Sequence, residues 1–477
     1  MPLDLTPRTR PFPHQLEAEQ FILERPAVAL FDEQGLGKTK IVLDALLQEI
    51  SADKIDGGLI VCKHGLLPMW ESEIQKHTKT RGVVLSGSVR QTGLALMVYS
   101  PFYLTSYTLM HRELSRIREL LKLRRMAMVL DESHTIKNPE AQTTRDILAI
   151  STLAAKRIIL TGTPVANYPE DLWSQFYFLD GGKTLGPDFG AFKLYYDLGQ
   201  GVSRRSVSDQ NLASLSSRIR PITIRRTKKG TLELPDKSFE TRTVALEERQ
   251  GTMYRQIRDE LCLELLHEGK LIETMDIDNI LERLLRLVQV CSNPSLIDPH
   301  YNEVPAKFAA LDSLIADILA KDEKVVVWSQ FVENVKILSR RHHEHGSAAI
   351  HGGIPIEDRR RIVDRFQEDV NRKIVFAVPA AAREGLTLTA ANHAIYLDRN
   401  FNLVDYIQSQ DRIHRIGQER PCVITKLVAE GTVDDFVDDV LRRKFEIAEE
   451  VQSGAESNHQ GEAVQRSEIE RFLSRGE

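Results

Sequence analysis

Cysteine is scarce in this chain: Cys62, Cys262, Cys291 and Cys422 are the only four in 477 residues. None sits in a C-x-x-C pair or at metal-ligand spacing, which argues against a zinc cluster or a disulfide framework. Scattered single thiols suit a reducing, cytosolic interior. Aromatic residues are also few, at 6%, and no stretch interleaves them with basic residues as grooves for single-stranded bases do. No apolar run approaches the roughly 18 residues of a membrane span, and Met1 to Arg10 has no signal-like apolar stretch, so no membrane association is expected. A positive charge excess is missing as well. The formal net charge is −5, so any nucleic-acid contact has to come from a local basic stripe.

What is present is an ordinary globular composition, 42% hydrophobic and 27% charged, with length for two or three domains. Short apolar runs at Ala27 to Phe31, Leu59 to Cys62, Met126 to Leu130 and Arg157 to Leu160 alternate with amphipathic stretches such as Ile41 to Ile50 and Thr143 to Ala154. Continuous apolar strands separated by helices predict a parallel sheet buried on both faces. The alternation returns at Lys324 to Trp328, Lys373 to Ala377, His393 to Leu397 and Val423 to Leu427. Between the two blocks, Glu247 to Glu268 and Asn279 to Val290 read as helices, and Leu234-Pro235 as a hinge. The expected class is α/β: two tandem parallel-sheet lobes with helical insertions between them. The first lobe is expected over 1–225, with a helical insertion near its end. A linker and helical insertion of the second lobe follow over 226–306, then the second lobe over 307–452. The last segment, 453–477, reads as a polar, flexible tail in which Ile469 to Phe472 could support a short helix.

The strongest local pattern is Asp32-Glu33-Gln34-Gly35-Leu36-Gly37-Lys38-Thr39, after one apolar run and before a helix. Glycines let backbone N–H groups approach phosphate oxygens, and the helix presents its positive end. Lys38 would neutralise terminal phosphates, and the Thr39 hydroxyl would hold Mg²⁺. The strict G-x-x-x-x-G-K-[ST] pattern fails, because Asp32 occupies its first glycine position. A bare GKT also occurs by chance at helix starts; the strand, loop and helix setting favours phosphate. A second apolar run ends in Asp131-Glu132-Ser133-His134. Carboxylates there could hold a metal shell (Asp131) and activate water (Glu132). Alone, such a pair is more often a helix cap; after a phosphate loop the catalytic reading prevails.

With both motifs placed, the chain resembles the SNF2 family of helicase superfamily 2 from about Arg10 to Asp434. The resemblance implies two RecA-like lobes that use ATP and Mg²⁺. Arg10 to Gln15 is similar to the Q-type motif, with Gln15 on the adenine, and Asp32 to Thr39 has the family's DE-x-GLGKT form, so Gly35, Leu36 and Gly37 join Lys38 and Thr39 around the phosphates. Leu59 to Cys62 with Trp70 resembles motif Ia, although Lys63 stands where proline is usual. Asp131 to His134 is the DEAH-type box, followed by Ile136-Lys137-Asn138. Leu160 to Pro164 is motif III, which implies coupling roles for Thr161 and Thr163. Arg225 to Lys228 with Leu234-Pro235, and later Cys291 to Pro294, fit further family segments. Gly385 to Thr389 resembles motif V, with Gly385 near the nucleotide, although Ala382-Arg383 replaces the usual glycine pair and Arg383 could contact phosphate. Gln408 to Gln418 is motif VI, which implies Arg412 and Arg415 as arginine fingers and Gln408 as a coupling residue.

Thr105 and Ser106, Ser329 and Gln330 (motif IV), and His351, Gly352 and Gly353 are implied as DNA contacts. Basic clusters at Arg218, Arg220, Arg225, Arg226, Lys228 and Lys229, and at Arg359, Arg360 and Arg361, are further candidates; surface charge is the competing reading. From Pro164 to Lys324 there are 324 − 164 = 160 positions, far beyond a simple linker of about a dozen. In the SNF2 family such insertions accompany enzymes that track duplex DNA without unwinding it. The expectation is a monomeric motor on double-stranded DNA that remodels or displaces DNA-bound protein, in a cytoplasmic or nucleoid-associated setting, bacterial or viral. A strand-separating or strand-annealing helicase, and an ATP-gated DNA-binding clamp, are the alternatives.

Overall fold

The computed structural model describes residues 4–165, 168–196, 209–267, 270–272, 277–382, 386–453 and 466–474. The chain divides into two compact units, Met1–Glu233 with Glu446–Gly461, and Leu234–Phe445 with Glu462–Glu477.

In the first unit seven strands form one sheet: β1 (Ala27–Leu30), β2 (Gly57–Cys62), β3 (Gly82–Val84), β4 (Phe102–Ser106), β5 (Met126–Asp131), β6 (Lys156–Leu160) and β7 (Thr223–Ile224). Their spatial order is β3-β4-β2-β5-β6-β1-β7, with every pair parallel. All four residues of β1 and all six of β2 are buried, as strands covered by helices on both faces must be. Ile41, Val42, Leu46, Trp70 and Ile74 pack against Val28, Ile60, Leu104 and Val129 to make one face of that core. The consequence for function lies in the order: β5, β6 and β1 are adjacent, so their C-terminal ends open side by side. Ligands in open parallel sheets bind at that edge.

The second unit begins with β8 (Lys237–Val244) and continues, after a short antiparallel ribbon of β9 (Leu266–His267) and β10 (Lys270–Leu271), with β11 (Val325–Trp328), β12 (Ala348–Ile350), β13 (Ile374–Ala377), β14 (His393–Tyr396) and β15 (Cys422–Ala429). Its sheet is parallel in the order β12-β13-β11-β14-β15-β8. Val325 to Trp328, Ile374 to Ala377 and Ala394 to Leu397 form its core with Leu311, Ile315 and Phe366.

The division between the units falls a few residues from the expected one: β7, inside the expected 1–225, pairs with β1, and the first unit runs on to Glu233 and takes in Glu446–Gly461. β8 pairs with β15 over eight residues, so the segment expected as linker and helices supplies a sheet strand. In the segment read as a tail, the short helix offered at Ile469 to Phe472 is present, and 454–465 and 475–477 lie outside the described residues. Arg466–Ser474 is a helix with Ile469 and Leu473 buried, its Glu470 carboxylate accepts from the Leu271 N–H at 2.8 Å, and Phe472 stacks on Phe436.

Candidate active site

The helix Lys38–Ser51 starts directly from the phosphate loop, with Gly37 at its cap and φ +82. Only glycine adopts that conformation readily, and a side chain there would collide with the Gln15 amide. Gln15 is buried: its Nε2 donates to Leu36 O at 3.2 Å and its Oε1 accepts from Phe12 N at 3.0 Å. It thus ties the Pro13–Leu23 helix to the loop through the loop's own backbone. Lys38 Nζ donates to Asp32 O at 2.7 Å and Glu33 O at 3.3 Å, which keeps the ammonium inside the loop that it serves. Thr39 follows on the first turn, partly exposed.

Asp131 closes β5, and Glu132 follows in the left-handed region at φ +53. For a non-glycine residue this conformation costs about 1–3 kcal/mol and clusters at functional sites. It turns the chain sharply at the strand end, so the Glu132 side chain leaves β5 beside the phosphate loop. There its Oε1 accepts from Gln34 Nε2 at 3.2 Å. The Asp131 carboxylate accepts from Trp70 Nε1 at 2.8 Å and Glu132 N at 2.9 Å. Burial, followed by the negative charge of Glu132, pushes its pKa above the ordinary carboxylate value; the Trp70 bond and the nearby Lys38 charge oppose this. A cation would relieve that cost. The donors here, a hydroxyl on Thr39 and a carboxylate on Asp131, are all oxygen, the set that a hard ion such as Mg²⁺ takes.

His134 links this box to its neighbours. Lys63 Nζ lies 3.2 Å from its Nε2. An ammonium can only donate, so Nε2 accepts and Nδ1 carries the proton. Nδ1 faces Thr161 Oγ1 at 3.2 Å and Glu132 Oε2 at 3.3 Å. Lys63, the departure from the usual proline, therefore sets the tautomer of the box histidine. A second bridge runs through Gln175, fully buried, whose Oε1 accepts from Ser133 and whose Nε2 donates to Pro164 O at 2.8 Å. Thr161 Oγ1 also accepts from Thr163 N, and both threonines are buried. The box and motif III are thus bonded at two places. Nothing local in the sequence marks Gln175.

In the second unit, motif VI lies against motif V: Arg415 Nη1 donates to Thr387 Oγ1 at 3.1 Å, and Leu388 N donates to Arg412 O at 2.9 Å. Gln418, 5% exposed, donates to Ala391 O and Ile413 O, which pins the turn. Gln408 is buried at 2% exposure. Gly385 and Arg383 lie outside the described residues.

The expected DNA contacts divide by exposure. Thr105 and Ser106 are 0% and 3% exposed, and Ser106 caps the next helix through Leu109 N. Ser329 is 1% exposed and donates to Asp398 at 2.6 Å; Gln330 is partly buried. Gly352 and Gly353 are exposed, with His351 partly so, and Arg359 braces their turn through Gly352 O and Ile354 O. Arg359 is itself 5% exposed, so of its cluster only Arg360 and Arg361 face outward. The other basic cluster also breaks up: Arg226 is held by Asp32, Arg225 pairs with Glu449, and Lys228 is buried, whereas Arg218, Arg220 and Lys229 stay exposed.

Asp398 explains the Ser292-Asn293 signature. Its carboxylate, fully buried, accepts from Ser292 Oγ, Ser329 Oγ and Gln330 N, each at 2.6 Å, while Asn293 Nδ2 donates to Asn334 at 2.9 Å. The end of the helix Ile277–Ser292 is thereby tied to the C-terminal ends of the central strands β11 and β14. Asp398→Ala strands these buried donors, and urea unfolding should show a loss of about 1–3 kcal/mol for each donor that finds no new acceptor. An unchanged midpoint would mean that the network carries no stability.

The glycine-rich loop, the acidic box and the bonded motif III lie on adjacent strand ends of the first sheet, and the arginine motif lies in the second unit, the motif order of the helicase type. The SNF2-related domain matches residues 14–296 and the helicase conserved C-terminal domain matches residues 306–417; the chain belongs to the SNF2-related family. It is 29% identical over 439 residues to YwqA of Bacillus subtilis, named as a candidate ATP-dependent helicase/translocase, covering 88% of this chain and 46% of that one. An ATP-dependent helicase of Mycoplasma pneumoniae is 29% identical over 430 residues, with 88% and 39% covered. The ISWI chromatin-remodeling complex ATPase ISW1 of Saccharomyces cerevisiae is 25% identical over 456 residues, with 89% and 39% covered. The chain spans less than half the length of these relatives. The solved Sulfolobus solfataricus SWI2/SNF2 ATPase core in complex with dsDNA is 26% identical, with 98% of this chain and 97% of that chain covered and a TM-score of 0.45.

Proposed function

We propose that the protein is a DNA-dependent ATPase that couples hydrolysis to translocation on double-stranded DNA and so remodels or displaces DNA-bound protein. The observation that carries this is the bonding of the acidic box to motif III, through His134 to Thr161 and through Ser133 and Gln175 to Pro164. A change at the nucleotide end of β5 is thereby delivered to the end of β6. In this reading Gly35, Leu36, Gly37, Lys38 and Thr39 hold the phosphates, Mg²⁺ is held by Thr39 and Asp131, and Glu132 takes the proton from the attacking water. Arg412 and Arg415 stabilise charge on the transferring phosphoryl group. Gln15 acts through the loop that it braces. Support for duplex tracking comes from family membership and from the folded segments between Pro164 and Lys324, which include five α-helices over 172–292 in the described residues. In this reading the DNA contacts come from the turn His351 to Gly353 and from the exposed Arg218, Arg220, Lys229, Arg360 and Arg361.

ATP turnover measured with duplex, single-stranded and forked DNA tests this. Duplex should stimulate most, and the stimulation should fall steeply with salt, as phosphate contacts require. Stimulation by single strands alone would overturn the reading. Ready unwinding of forks would make the protein a strand separator, and duplex binding without displacement of a roadblock would make it a clamp.

A further inference from the structure

The geometry points to Arg226 as a positioning residue for ATP binding, acting through its grip on Asp32 at the entry to the phosphate loop. Asp32 stands where the strict phosphate-loop pattern has glycine. Its side chain is fully buried, and its carboxylate accepts from Arg226 N at 3.0 Å, from Arg226 Nε at 3.1 Å and from Arg226 Nη2. The same guanidinium reaches His14 O through Nη1. His14 in turn has its Nε2 3.0 Å from Leu36 O, next to the Gln15 contact on the same carbonyl. The neighbouring residues join the same arrangement: Glu33 N donates to Arg226 O at 3.0 Å, and Lys228 N donates to Glu33 Oε2 at 2.6 Å.

One guanidinium thus clamps both flanks of the loop. On one side it fixes Asp32, whose carbonyl holds Lys38; on the other it fixes the helix start that holds Leu36. A planar fork with five donors can serve these acceptors together, whereas an ammonium cannot. The buried aspartate is tolerated because this cation is present. Arg226 lies 233 − 226 = 7 positions before Glu233, where the chain first leaves the first unit, so the clamp also joins the loop to that exit segment. The basic residue that the sequence offers to DNA is therefore spent on the nucleotide site.

This inference rests on residues 32–39 being the ATP phosphate loop. The test measures, in the full chain, the Kd of a fluorescent ATP analogue without DNA, KM and kcat for ATP at saturating duplex DNA, and the Kd for duplex DNA. Variants are Arg226→Met, Arg226→Lys, Asp32→Asn and the double Asp32→Asn/Arg226→Met. Arg226→Met should weaken binding and raise KM by about tenfold or more, with kcat at saturating ATP changed by less than about threefold, and Arg226→Lys should recover part of the loss. The double variant should be no worse than the poorer single one, because both remove the same interaction. Nucleotide affinity within about twofold of the parent in folded Arg226→Met, or fully additive losses, would overturn the inference. Should Arg226→Met not fold, Asp32→Asn keeps the shape and decides by the same thresholds. Lost duplex affinity with unchanged nucleotide affinity would assign Arg226 to DNA and overturn it too. If the parent protein does not bind the analogue at all, it is the phosphate-loop assignment that fails.

Discussion

Glu132→Gln is expected to lower kcat for ATP hydrolysis by about 10² to 10⁴-fold, the usual contribution of a general base, while ATP still binds. The amide keeps the length and shape of the side chain. It can still accept from Gln34 through one oxygen, so the left-handed turn at residue 132 should survive. What it cannot do is take a proton from water. A second effect has a sign fixed by the structure: the Glu132 charge is one of the two causes that push the Asp131 carboxyl upward. Removing it favours ionised Asp131, so metal affinity should hold or improve, and the variant should accumulate bound ATP. Rapid filtration of radiolabelled ATP against steady-state turnover measures both parts. Turnover equal to the parent would remove Glu132 from the chemistry.

How much of this was visible beforehand depended on where each residue's partner lies. β1, β5 and β6 are continuous apolar runs ending in Asp, Glu or Thr, and that local pattern suffices to place Lys38, Asp131 and Thr161 at one sheet edge. β8 was missed because six of its eight residues are exposed and neither of its faces reads as apolar. An edge strand of that kind is held by its ladder to β15, 185 positions away at Lys237 and Cys422 (422 − 237), and no window of sequence shows the ladder. The same reason governs the site. Ser329 looks like a polar group offered to a ligand after a strand, yet its acceptor, Asp398, is 69 positions on. Arg226 reads as part of a basic run until Asp32, 194 positions earlier, is brought to it. Asp32 left half a trace: a carboxylate in a glycine position needs a cation once buried, but no local pattern names which one. Gln175 left none.

Lys38→Ala should abolish both turnover and the response of the folded protein to ATP. At about a hundred times Kd a bound nucleotide adds about 2.7 kcal/mol to stability, so the parent should melt several degrees higher with Mg-ATP and the variant should not. The nucleotide-free variant also loses the ammonium's bonds to Asp32 O and Glu33 O, so the quantity that decides is the ATP-induced shift within each protein, not the difference between the two nucleotide-free melting points. Those two bonds also say why the lysine is needed. They hold its charge in the loop before ATP arrives, at a helix start whose N–H groups point the same way, so phosphate oxygens meet an arranged set of donors and little ordering cost remains. Lys38→Arg should therefore rescue poorly: the fork keeps the charge but cannot place a compact ammonium between two carbonyls and a phosphate. A full ATP-induced shift in Lys38→Ala would show that the nucleotide binds elsewhere.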